Sequence, residues 1–320
     1  MNALQRFWNG ETNIAFFRWR MVTYVLSGLL MLASIGGLAV KGLNFGLDFT
    51  GGTLVEASYD DAVDLEVIRA RLAAANFPDA TVQHIGTARE VSVRIATREG
   101  VSNEQLGHQI LAALAGPEKD AIKLKRIDFV GSQVGDELAE QGTMAALVTV
   151  IAVLIYVAFR FEWKLAVGSI IGTVHDALLV LGAFAIFQWN FDLTALAAVM
   201  AILGYSLNDK VVIFDRVREN FRKAHARTAN LIDLMDQSIN QTLARTTMTT
   251  GLTFIVCLAL FLYGGPSIHE FSLALLIGVF SAIYSSVYIS SCFALDIGLN
   301  REDLMPPVVE KEGADLDAMP

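Results

Sequence analysis

Six apolar runs, at residues 21–40, 142–159, 166–187, 193–214, 246–263 and 270–292, constrain this chain more than any other feature. Each is long enough to cross about 30 Å of hydrocarbon at a rise of about 1.5 Å per residue. A backbone in lipid finds no water to bond, so such a run must be a helix that closes its own hydrogen bonds. Of 320 residues, 54% are hydrophobic and only 18% charged, which is not the balance of a water-soluble domain of this length. The sequence therefore predicts a polytopic α-helical membrane protein with six transmembrane helices. The first run is too long for a signal-peptide core and is followed by Lys41-Gly42 rather than a small-residue cleavage site, so it is expected to remain as a span.

The short connecting segments set the orientation. Arg6, Arg18 and Arg20 precede the first run, Arg160 and Lys164 flank the turn after the second, and Arg216, Arg218, Arg222, Lys223, Arg227 and Arg245 fall in 215–245. Segments 188–192 and 264–270 carry no Lys or Arg. The positive-inside rule then places both termini in the cytoplasm and residues 42–138 outside. Residues 1–20 mix Trp8, Phe16, Phe17 and Trp19 with arginines, which suits either an interfacial helix or an ordinary cytoplasmic N-terminus. Much of the net charge of −9 belongs to the tail 293–320, with Glu302, Asp303, Glu310, Glu312, Asp315 and Asp317 beside Lys311. That composition predicts a disordered acidic cytoplasmic tail and argues against nucleic acid as a partner.

The outer segment reads as a small α+β domain between the first two helices. Strands are expected at 53–59, 80–85, 90–97 and 124–130, and helices at 64–76, with Leu65, Ile68 and Leu72 on one side, and 103–114, with Leu106, Ile110 and Leu114. The order βαββαβ is the ferredoxin-like pattern. Gly42–Thr53, GLNFGLDFTGGT, joins this domain to the first span. It lacks the spacing of a phosphate-binding loop and reads as a structural hinge, in which Gly46, Gly51 and Gly52 permit tight backbone geometry and Asp48 caps or turns the chain. In 215–245, Ile232, Met235, Ile239 and Leu243 form an apolar face that either lies on the membrane or packs on another helix.

Ionisable groups within apolar runs are costly and therefore candidates for function. Asp209 stands in the fourth run with Asn208 before it and Lys210 after it. Ala197, Ala201, Gly204 and Asn208 form a small-residue stripe there, which predicts a close helix contact beside the acid. Lys210 is poorly placed to pair with Asp209, because neighbours in a helix do not face each other, and is expected to snorkel to the interface. Arg245 begins the fifth run and is either the counter-charge of Asp209 or a positive-inside anchor. In the third run Gly168, Gly172 and Asp176 share one face, with His175 adjacent; the pair is a proton relay or a hydrogen-bonded structural unit. Gly278, Ser281 and Ser285 in the sixth run read as close packing without chemistry. Cys257 and Cys292 read as packing residues. Hydrolase, kinase and metalloprotease motifs are absent, and no metal site, cofactor or enzymatic activity is expected.

Taken together, GLNFGLDFTGGT at 42–53, His175-Asp176, GYSLNDKVVIFDRVREN at 204–220 and INQTLART at 239–246 resemble the SecF family, over nearly the whole chain. These are the smaller partners of the SecD–SecF pair of bacterial protein export. The resemblance implies half of the resistance-nodulation-division architecture, with SecD as the other half, in the bacterial inner membrane. It implies work with the SecYEG channel and the insertase YidC on an exported preprotein, with SecA acting indirectly from the cytoplasm. It implies use of the proton motive force late in export, with Asp209 as intramembrane acid, Arg245 as its basic partner and an acid from SecD completing the path. The family commonly has a small hydroxyl or similar residue where this chain has Lys210. Two other readings are a proton-coupled exporter half for small molecules or lipids, which an outer domain of this size disfavours, and a purely structural translocon subunit.

Overall fold

The computed structural model describes residues 3–8, 10–85, 87–96, 103–115, 122–223 and 230–304. Arg227, Glu310, Lys311, Glu312, Asp315 and Asp317, and with them most of the expected acidic tail, lie outside the described residues. Among the described residues, six helices are long and apolar enough to cross a membrane: Phe16–Val40, Gln133–Arg160 (within α6, Ser132–Arg160), Trp163–Phe187, Leu193–Arg222, Leu231–Tyr263 and His269–Asp296. They contain the six expected runs and several extend beyond them. The chain divides into two compact units, one of residues 1–41, 150–186 and 198–320, the other of 42–149 and 187–197.

In the first unit, a short helix α1 (Ala3–Trp8) and a 3₁₀ turn (Phe16–Trp19) precede α2 (Arg20–Val40). The amides of Phe16 and Phe17 donate to Asp236 Oδ1 at 2.8 and 3.3 Å, and Asn240 exchanges hydrogen bonds with the backbone of Ile14. The N-terminal segment is therefore tied to α9 (Leu231–Tyr263). That helix is unbroken, so the expected amphipathic piece is the first part of the fifth span rather than a separate element. Residues 231–245 contain no Gly or Pro to stop the helix. Met235 and Ile239 belong to one buried apolar cluster with Phe214, Val217 and Phe221. Of the two alternatives for that face, packing on another helix is the one found.

Helices α7 (Trp163–Phe187) and α8 (Leu193–Arg222) and the sixth span have 44, 50 and 56% of their apolar windows buried, against 17, 11 and 17% for the first, second and fifth. The third, fourth and sixth spans are thus the interior of the bundle. The sixth is composite: α10 (His269–Tyr284), a π-helical turn (Ser285–Ser290) and α11 (Ser291–Asp296). Such widened turns are uncommon and recur at functional sites. A final turn of helix, α12 (Arg301–Leu304), follows; its Asp303 accepts from Lys164 Nζ at 2.6 Å, which holds the carboxyl below its ordinary range.

The second unit contains β2 (Gly52–Tyr59), α4 (Leu65–Ala74), β3 (Thr81–Ile85), β4 (Thr87–Ile95), α5 (Asn103–Ala115) and β5 (Ile122–Val130). Its sheet is antiparallel throughout, in the order β3-β4-β2-β5. Ile68 and Leu72 of α4 and Leu106, Ile110 and Leu114 of α5 join Val55, Ala57, Val91, Val93 and Ile95 of the strands in one core. Burial of each large aliphatic side chain there contributes about 1.5–3 kcal/mol. Ahead of β2 come a two-residue strand β1 (Asn44–Phe45), paired in parallel with β6 (Asn190–Phe191), and a single helical turn α3 (Leu47–Thr50).

Candidate functional site in the helix bundle

Small residues on α7 let the third span approach the sixth. A Cβ on Gly168 would lie 2.6 Å from the Ser290 carbonyl oxygen, and one on Gly172 would lie 2.0 Å from Ser290 Oγ and 2.6 Å from Lys210 Cε. The same face carries Asp176, which has no exposed surface. Its Oδ1 accepts from Ser281 Oγ at 2.5 Å and lies 3.3 Å from His175 Nδ1. Its Oδ2 accepts from Ser206 Oγ and Ser285 Oγ, both at 2.6 Å, and from Lys210 Nζ at 3.2 Å. The expected packed seam is present.

Lys210 does not snorkel. It is fully buried, and its Nζ donates to Asp176, to Ser206 Oγ and, at 3.0 Å, to Ser285 Oγ. The three ammonium donors each have an acceptor, and each bridging hydroxyl accepts from the ammonium while donating to the carboxylate. A buried ion pair is tolerable when its remaining hydrogen-bonding capacity is met in this way. The snorkelling expectation failed because it weighed only the cost of burial; an unpaired acid on another helix supplied the partner. Ser281 and Ser285 are likewise ligands of Asp176 and not packing alone. Their signal was present in the sequence as hydroxyls on a helix face of an apolar run. His175 Nε2 lies 2.8 Å from Ser27 Oγ, linking the centre to the first span.

Asp209 is 2% exposed, and among the described residues its Oδ2 has no hydrogen-bond partner; Thr246 Oγ1, on α9, is likewise buried and without one. Tyr205, one turn before Asp209, donates to Thr250 Oγ1 at 2.9 Å, so this face of α8 meets α9. Arg245 is exposed and makes no ion pair with Asp209. The structure therefore brings together Asp176, His175 and Lys210, whereas Asp209 and Arg245 make no direct ion pair, although the Arg245 charge acts on Asp209. The stripe expected to carry a helix contact is open: Ala201, Gly204 and Asn208 are exposed, and a Cβ on Gly204 would meet nothing within 4 Å.

In the second unit the residues expected to form a hinge are held by specific bonds. Gly46 N–H donates to the Phe191 carbonyl at 2.8 Å, and Asp48 Oδ2 accepts from Leu193 N–H at 3.0 Å at the start of α8. Gly51 and Gly52 have φ of 64° and 115°, and a Cβ on Gly52 would lie 2.3 Å from the Ile95 carbonyl oxygen. Only glycine suits both demands. Asn190 Oδ1 accepts from Gln83, Asn44 and Arg94, a polar cluster that sequence reasoning missed because its members are scattered along the chain. Asp192 beside it accepts from Ala195 N–H at 2.7 Å, and burial pushes its carboxyl above the ordinary range.

Residues 110–300 match the family described as protein export membrane protein SecD/SecF, C-terminal, and residues 36–63 match the SecD/SecF GG motif, which includes Gly51-Gly52. The chain is 50% identical to the protein translocase subunit SecF of Vibrio alginolyticus, over 97% of this chain and 98% of that one. It is 42% identical to the SecF of Escherichia coli O157:H7, over 96 and 95%. A crystal structure of SecDF from Thermus thermophilus, described as a translocon-associated membrane protein, superposes with a TM-score of 0.79 at 32% identity; the match covers 91% of this chain and 39% of the SecDF chain.

Proposed function

The chain belongs to the SecF family of protein translocase subunits, and from that premise we propose that it uses the proton motive force, with a SecD partner, to promote late stages of protein export. The observation that carries the reading is Asp209: a carboxyl 2% exposed on an apolar span, with one oxygen that has no hydrogen-bond partner among the described residues. An unsatisfied buried acid is costly, and a proton from one side of the membrane relieves that cost. Protonation of Asp209 and its approach to Arg245 alternate, and helix packing against the partner half shifts with them. One charge crossing 100 mV supplies about 2.3 kcal/mol, enough to bias a modest equilibrium.

The exposed stripe Ala201, Gly204 and Asn208 supports a partner helix over this face, and the solved relative, of which this chain matches 39%, supports SecD as its source. The wider assembly in this reading comprises the SecYEG channel, YidC and the preprotein, with SecA acting from the cytoplasm. The location is the inner membrane, with both termini cytoplasmic and the sheet-bearing unit periplasmic. Asp209→Asn, expressed with SecD in membrane vesicles, is expected to lose gradient-dependent export while the complex still assembles. Undiminished gradient-dependent export in that variant overturns the reading. Co-purification in mild detergent is expected to recover a larger membrane partner bearing its own intramembrane acid.

A further inference from the structure

Asp176 and Lys210 stand outside the proton path described above, yet they are bonded far more fully than Asp209. Lys210 follows Asp209 by one residue on α8, and the helix period turns adjacent residues to different faces. Asp209 shares a face with Tyr205, which bonds Thr250 on α9. Lys210 shares a face with Ser206, and both bond Asp176 on α7. The sixth span closes the centre with Ser281 and with Ser285, the first residue of the π-helical turn. Gly172 leaves the room that the Lys210 stem occupies. Rotating α8 to carry Asp209 toward the third span would strip Lys210 from its acceptors and leave both charges buried and unpaired, a strongly unfavourable state.

We infer that the Asp176–Lys210 ion pair is a positioning device for Asp209: it fixes α8 about its own axis, so that Asp209 faces α9 and its Oδ2 has no hydrogen-bond partner among the described residues. Asp176 and Lys210 are positioning residues, and neither takes the transported proton. This rests on the reading of Asp209 as the proton-binding acid. It deepens that reading by naming what sets the orientation of the acid.

The test uses the full chain co-expressed with SecD in membrane vesicles. The charge-balanced double variant Asp176→Asn/Lys210→Met removes the pair without stranding a charge. Two quantities are read: the rate at which a hydrophobic carbodiimide modifies Asp209, followed by mass spectrometry, and export with and without an imposed proton gradient. The carbodiimide rate is expected to change about fivefold and gradient-dependent export to fall about tenfold, with gradient-independent export unchanged. A purely structural role would lower both kinds of export together. An assembled double variant with parental labelling and parental gradient-dependent export overturns the inference. If the double variant does not assemble, Ser281→Ala and Ser285→Ala, which keep both charges, carry the test: a change of about twofold or more in labelling supports the device, and no change overturns it. Asp209→Asn run in parallel separates the two readings. If it retains gradient-dependent export, the proton path is wrong, whereas the labelling result still decides whether the pair orients residue 209.

Discussion

Asp176 and Asp209 are both buried carboxyls on long apolar helices, and they differ in nearly everything else. Asp176 is met by three hydroxyls, an imidazole and an ammonium from two neighbouring spans and its own. Among the described residues, Asp209 keeps one oxygen, Oδ2, with no hydrogen-bond partner. Burial by itself therefore says little about the role of an intramembrane acid. A saturated acid resists change, because any movement breaks several bonds at once, whereas an unsaturated one gains from a proton or from a new partner. The bundle spends its polar side chains on one carboxyl and leaves the other available.

The two acids differ most in the ion pair that, among the described residues, Asp176 makes and Asp209 lacks. Asp176→Asn or Lys210→Met alone strands a buried charge and is expected to destabilise the bundle by about 3–5 kcal/mol, with most of the loss recovered in the double variant. Thermal unfolding in detergent measures all three. Additive losses in the double variant would show that the two side chains are not a pair.

Gly172→Ala tests the room on which the saturated centre depends. A methyl group there meets Ser290 Oγ and Lys210 Cε, and overpacking of this kind costs about 1–3 kcal/mol. A variant as stable as the parent would mean that the Lys210 stem has another path.

A third buried carboxyl sharpens the contrast from outside the bundle. Glu56 on β2 is 6% exposed, and burial pushes its carboxyl above the ordinary range, with Arg126 only partly offsetting it. The unfolded side chain has a pKa of about 4.3. The contribution of Glu56 to stability is fully present below that value and is lost as pH rises through the raised folded value. Glu56→Gln is expected to stabilise the sheet at neutral pH by about 1 kcal/mol and to change nothing at pH 4. Hydrogen exchange of the β2 amides at the two pH values checks both halves of the statement.

Asp209→Asn has the smallest expected effect on stability, under about 1 kcal/mol, because no complete set of bonds is lost. Its consequence is expected in export and not in unfolding. A large drop in thermal stability would place Asp209 with Asp176 as a structural acid and erase the distinction.

Much of this was legible in the sequence. Hydropathy summed over twenty residues is a local property, so the six spans could be read directly, and so could the strands and helices of residues 52–130, whose apolar residues recur with periods of two and of three to four. The positions of the acids followed from the same reading. The unbroken α9 is not legible in the same way, because a basic residue at 245 reads as a boundary although nothing there interrupts helical hydrogen bonding. The partners of the polar residues were not legible. Asp209 and Lys210 are neighbours in the chain, and local rules could say only that they do not face each other. Which one met Asp176 was decided by the close approach of α7 to the sixth span at Gly168 and Gly172, which brought Ser281 and Ser285 to the same point. Hydrogen bonds act over about 3 Å, and side chains separated by 30 to 110 positions come within that distance only through tertiary packing. The sequence by itself determined that this chain crosses a membrane and carries acids within it; the tertiary structure decided which acid is satisfied and which is left free.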